Sequence, residues 1–186
     1  IAARGRDERE FAPILDWLGT RRGLLDAVVF SGGEPTAQAE LADAITAVHA
    51  LGFKAGLHTG GANPRRLAAV LPQVDWVGID VKAPQAEYDG VTGAPDSGIA
   101  AFASLDLVLA SGTAHEVRTT VHPALTPPAA LAQLAGELAD RGVVRWVLQP
   151  FRATGCMNET LVSCAPHGAT IEPALLALLR TQVPAI

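Results

Sequence analysis

Short apolar runs and longer amphipathic stretches alternate five times along this chain, and that alternation restricts the fold more than any other feature. The apolar runs are Ala27–Phe30, Phe53–Leu57, Asp75–Lys82, His115–His122 and Val143–Gln149, each of a length that suits a buried strand. Between them, apolar residues recur at helical spacing, as in Phe11, Leu15 and Leu18, then Leu41, Ile45 and Val48, then Leu131, Leu134 and Leu138. The punctuation agrees. Pro13 fits a first helical turn, Thr36 and Asn63 fit helix caps, Thr126 with Pro127 fits the start of another helix, Pro72 stops a helix, and Gly52 and Gly142 close two more. Further helices are predicted over about 98–110 and 173–180, the first after an irregular stretch through Tyr88 and Gly93. Strand, helix, strand in steady succession with short loops predicts an α/β fold: a parallel sheet with right-handed crossovers. About five βα units are too few to close an eight-stranded barrel. A partial barrel or an open doubly wound sheet remains.

The chain's 186 residues suit a single domain with a buried core. Its formal charge of −5 and its scattered basic residues give no footprint for nucleic acid. No apolar run approaches the roughly 20 residues a membrane-spanning helix needs, and no signal peptide is visible. Two cysteines do not make a disulfide framework, so a cytoplasmic, membrane-free setting is expected. The chain begins at Ile1 and its only methionine is Met157, which predicts an upstream segment in the intact protein.

Polar residues gather where the predicted strands end. They are Gly32-Gly33-Glu34, His58-Thr59, Asp80 with Lys82, Arg118 with Thr120 and His122, and Gln149 with Arg152. Parallel α/β sheets bind ligands at that end, so five converging clusters predict a site for a small, charged, polyfunctional molecule. Strand ends also meet solvent, and any one cluster could be no more than that. In Gly32-Gly33-Glu34, glycines without Cβ let a ligand approach the main chain beside a carboxylate; a tight βα turn would use the same residues. Asp80 and Lys82 lie two apart on a strand, so both can reach one zwitterionic ligand or simply pair with each other. Arg118 carries a guanidinium suited to grip a carboxylate twice, or to pair with Glu34 or Asp80.

Taken in order, Gly32-Gly33-Glu34-Pro35, Thr59, Asp80-x-Lys82, Val117-Arg118-Thr119-Thr120-Val121 and Gln149-Pro150-Phe151-Arg152 resemble a radical S-adenosylmethionine enzyme. Within that superfamily the likeness, from about Arg4 to Arg152, is to activating proteins of glycyl-radical enzymes, and most of all to those of anaerobic ribonucleoside-triphosphate reductases. The resemblance implies a partial TIM-like barrel of six βα units, of which the first would be absent here, leaving 1–186 as one N-terminally truncated domain. It implies that Gly32, Gly33 and Glu34 receive the ammonium of S-adenosylmethionine, with Thr59 along the ligand. Asp80 and Lys82 would contact its amino-acid end. Arg118 would hold its carboxylate or ribose side, and Gln149 and Arg152 would close the rim near the substrate backbone. The implied partners are a glycyl-radical enzyme and an electron donor such as flavodoxin or ferredoxin.

The chain departs from the family in three places. The family's 4Fe-4S cluster sits on a Cys-x3-Cys-x2-Cys loop, from which an electron cleaves the sulfonium to a 5′-deoxyadenosyl radical. This chain has only Cys156 and Cys164, read as ordinary thiols, so it carries no metal ligands or catalytic residues of its own and is expected to be inactive alone. Gly60 replaces the more frequent asparagine of a Thr-Asn-Gly run, and His58 stands where related activases often carry an aspartate. Three rival readings remain: a small-molecule enzyme of the same superfamily, such as a 7-carboxy-7-deazaguanine synthase; a cluster-less ligand-binding or scaffold domain; and an aldolase-like barrel with Lys82 as a Schiff base.

Overall fold

The computed structural model describes residues 11–154, 156–164 and 171–186. Five strands, β1 (Ala27–Phe30), β2 (Lys54–Thr59), β3 (Trp76–Asp80), β4 (Ala114–Val121) and β5 (Trp146–Pro150), form one sheet in sequential order with every pair parallel. This is the expected α/β architecture, a partial TIM-like barrel. The helices are α1 (Ala12–Gly19), α2 (Leu41–Ala50), α3 (Pro64–Val70), α4 (Tyr88–Thr92), α5 (Ser97–Ser111), α6 (Pro128–Asp140), α7 (Glu159–Ser163) and α8 (Pro173–Arg180).

Strand residues alternate between two faces, and here the faces differ in chemistry. One face sends Ala55, Leu57, Val77, Ile79, Val117 and Trp146 into a core with Ile45, Leu67, Phe102, Leu105, Leu131, Leu134 and Leu138. Each fully buried Leu or Ile there contributes about 1.5–3 kcal/mol by leaving water. Polar contacts inside that core cross strands as well. The Thr119 hydroxyl donates to the Val81 carbonyl and accepts from the Trp146 indole N–H at 2.9 Å, tying three strands together. The opposite face carries His58, Trp76, Asp80 and Arg118, and this polar face leads to the site.

Several local expectations change. Thr36 does not cap α2. A single 3-10 turn, Pro35–Ala37, comes first, and α2 starts five residues beyond Thr36, after Glu40. The Thr36 hydroxyl turns back to donate to Glu34 instead, because that carboxylate is a strong acceptor two residues away while the free N–H groups that open α2 lie out of its reach. Thr126 likewise does not cap α6; it bonds the main chain of His122 while Pro127 precedes the helix. β3 stops at Asp80, so Lys82 lies just past the strand. The irregular stretch after it contains α4, and the Cys156–Cys164 loop contains α7. None of the helices searched among the described residues is long and apolar enough to cross a membrane.

Candidate binding site at the strand ends

The chain leaves β1 through Ser31 and turns at Gly32 and Gly33, whose φ angles of 95° and 55° lie in the left-handed region that glycine alone enters at no cost. Apart from the chain neighbours, no atom of the described residues comes within 4 Å of where a Cβ would stand at either residue, so the main chain there faces open space. Gly33→Ala is therefore expected to cost about 1–2 kcal/mol through its backbone conformation alone. Urea denaturation of the variant checks this.

Glu34 fixes that turn. Its Oε1 accepts from the Thr36 N–H at 3.1 Å, the Thr36 hydroxyl at 2.6 Å and the Thr59 hydroxyl at 2.8 Å, and its Oε2 accepts from the Gly60 N–H at 2.9 Å. The carboxylate thus bolts the β1 turn to the end of β2. On the far side, Arg66 of α3 donates to the carbonyls of Thr36 and Ala37. Both clamps leave Gly32 and Gly33 uncovered.

Beside this loop lies a second cluster. Asp80 and Arg118 are register partners on β3 and β4, and the Arg118 Nε and Nη2 meet Asp80 Oδ1 at 2.9 and 2.7 Å. The Arg118 Nη1 lies 3.0 Å from His58 Nε2, and His58 Nδ1 lies 3.4 Å from the Ser31 hydroxyl. Burial, and then the adjacent Arg118 charge, push the His58 pKa below its ordinary value, so the ring is neutral at pH 7. The same Arg118 Nη1 also lies 3.4 Å from His58 Nδ1, so the guanidinium meets both ring nitrogens. Arg118 is buried while Asp80 is half-exposed, so the guanidinium is pinned and the carboxylate still reaches solvent.

Tyr88 of α4 secures the end of β3. Its hydroxyl donates to the Asp80 carbonyl at 3.2 Å and accepts the Lys82 N–H at 3.3 Å. Burial pushes its pKa up to about 12, so it stays a protonated strut at any working pH. Spacing within the chain gave no hint of this role.

The structure thus gathers Gly32, Gly33, Glu34, Thr59, Asp80 and Arg118 around adjacent strand ends, with the exposed Lys82 side chain beyond β3. Gln149 faces Thr120 across the β4–β5 pair, and with Arg152, Leu148 and Phe151 it lines a separate cleft at that side of the rim. His122 does not join the site. It lies past the end of β4, fully buried, where its Nε2 donates to the Leu161 carbonyl at 3.0 Å and its Nδ1 accepts the Ala124 N–H at 3.1 Å. The ring packs edge-on against Phe151 and anchors the α7 segment, which Cys156 and Cys164 flank.

Residues 1–135 match the family described as the Radical SAM superfamily. No curated protein matches the chain. Among solved structures, a domain of pyruvate-formate lyase-activating enzyme from Bacteroides vulgatus superposes with a TM-score of 0.63 at 15% identity, covering 85% of this chain and 92% of its own. SuiB from Streptococcus suis, bound to S-adenosylmethionine, gives 0.66 at 11% identity over 97% of this chain and 41% of its own. TYW1 with a lysine-pyruvate adduct gives 0.59 at 19% identity, over 93% and 57%. At these identities the likeness to the solved structures is one of fold, and this chain spans about half or less of the latter two.

Proposed function

This chain belongs to the radical SAM superfamily, and on that premise we propose that it is the S-adenosylmethionine-holding body of an activase for a glycyl-radical enzyme of the anaerobic ribonucleoside-triphosphate reductase kind. The observation that carries the reading is the bolt from Glu34 to Thr59 and Gly60, which presents an uncovered glycine turn next to the Ser31–His58–Arg118 contacts, with Lys82 exposed beyond β3. Such a rim offers main-chain carbonyls to an ammonium and cationic side chains to a carboxylate, the two ends of an amino-acid moiety. The cofactor fits these residues. A 4Fe-4S cluster does not, since the chain's two cysteines, Cys156 and Cys164, fall short of a three-thiolate site and flank α7 instead.

S-adenosylmethionine would supply, on one-electron reduction, the radical that takes hydrogen from a partner's glycine. The part of this chain is to hold and orient it: Gly32 and Gly33 with Glu34 behind them toward the ammonium, Thr59 alongside, and Asp80, Lys82 and Arg118 toward the carboxylate and ribose. Gln149 and Arg152, in their own cleft, are assigned to the partner's polypeptide. One neighbour in fold whose own length this chain nearly spans is a pyruvate-formate lyase-activating enzyme domain, which is in keeping with the activase reading.

Calorimetry is expected to give saturable binding of S-adenosylmethionine with methionine and ATP much weaker. The intact protein, reduced under anaerobic conditions with its glycyl-radical enzyme, is expected to yield a glycyl-radical doublet by electron paramagnetic resonance. Binding without that doublet, together with turnover of a free small molecule, would favour the rival enzyme class.

A further inference from the structure

The contact between His58 and Arg118 has no place in the reading so far, and it bears on how that reading's cofactor site is set. Arg118 has five N–H donors in a rigid fork. Two of its nitrogens meet a single oxygen of Asp80, so that ion pair alone lets the guanidinium pivot. His58 Nε2, 3.0 Å from Nη1, supplies a second anchor from a different strand. With both in place, two N–H groups remain to meet a ligand in a fixed direction.

His58 is itself held. The Trp76 ring packs against it edge-on at 5.3 Å. Gly78 leaves room for both, because a Cβ there would fall 2.8 Å from Trp76 and 2.9 Å from His58. The groups facing the imidazole are Arg118 and Glu116 from β4, Asp80 from β3 and the uncharged Ser31 beyond β1. Glu116 pairs with Arg145 at 3.3 Å.

We infer that His58 is a positioning residue that aims Arg118 at the ligand, and that it does so only as a neutral imidazole, so the rim loses ligand affinity in acid. The inference rests on the proposed cofactor site. Arg118 Nη1 lies 3.0 Å from Nε2 and 3.4 Å from Nδ1, so protonation at either nitrogen leaves two cations about 3 Å apart and no lone pair on the ring to accept. Burial and the Arg118 charge lower the pKa of His58, while Asp80 and Glu116 oppose them and are outweighed. The sign follows. A group whose folded pKa is depressed below its unfolded value of 6.5 contributes no pH dependence above that value. Below it, the neutral arrangement is lost as pH falls through the folded midpoint.

The test is the Kd of S-adenosylmethionine from about pH 8 to about pH 5, measured for the wild type and two variants. In the wild type it rises by up to about tenfold per pH unit below the His58 midpoint. His58→Gln keeps an acceptor oxygen and cannot titrate, so it binds like the wild type at the alkaline end and stays flat below. His58→Leu binds weakly at every pH; should it fail to fold, the glutamine variant decides alone. A flat wild-type profile, or the same slope in His58→Gln, overturns the inference and leaves the cofactor assignment standing. No binding by the wild type at any pH overturns the proposed function, and the inference with it.

Discussion

Glu34→Ala is expected to lower stability by about 2–4 kcal/mol and to weaken S-adenosylmethionine binding by more than about tenfold. Hydrogen bonds to a charged acceptor are stronger than neutral ones, and this carboxylate accepts four. Water entering the space left by the side chain recovers part of the loss, which keeps the figure below a plain sum. The larger consequence is geometric. Without the carboxylate, the Gly32-Gly33 turn loses the two hydrogen bonds that tie it to Thr59 and Gly60. Glu34→Gln separates the contributions: its oxygen can still serve Thr36 and Thr59, but its amide N–H₂ then faces the Gly60 N–H, donor against donor. That variant should fall between wild type and alanine in urea denaturation and in calorimetry.

Arg118→Leu is expected to do the reverse, with a small stability loss of about 1 kcal/mol and an affinity loss of about 10–100-fold. Asp80 is half-exposed, so water solvates it once its partner is gone. A ligand carboxylate has no such substitute for charge-assisted N–H donors on a buried, oriented guanidinium. Arg118→Lys keeps the charge but replaces a fork by a point donor, which cannot serve Asp80, His58 and a ligand together. It should recover only part of the affinity. Unchanged affinity in Arg118→Leu would mean that Arg118 merely pairs with Asp80.

The fold was legible because the alternation of apolar runs with helical spacing repeats through the chain. β1, Ala27–Phe30, falls where its apolar run predicts, and α8, Pro173–Arg180, starts and stops at its own punctuation. Boundaries failed where a side chain found a nearer partner than the one its residue type suggests. Thr36 serves Glu34 and Thr126 serves His122, so neither caps a helix. His122 misled for a related reason. Strand alternation places it with Arg118 and Thr120, but the strand ends one residue earlier and the buried ring turns to Leu161.

The site was half legible. The strand-end clusters named most of the residues that meet, because parallel sheets put their loops on one rim. The Arg118–Asp80 pair was one of the pairings the residue types allowed, but the other partners across strands could not be read, since those contacts span tens of positions. Arg118 and His58 are 60 apart in sequence, and Glu34 and Gly60 are 26 apart. Tyr88 carried no signal at all, as a lone tyrosine in an irregular stretch says nothing of the strand end it supports.

The most direct measurement is a backbone and side-chain amide map of the protein titrated with S-adenosylmethionine by nuclear magnetic resonance. Saturation is expected to shift Gly32, Gly33, Thr59, Gly60, Lys82 and Arg118 together, with one apparent Kd, and to leave the outer faces of α5 and α6 unmoved. Shifts confined to those helices, or scattered with different affinities, would mean that the strand ends do not form a common cofactor site.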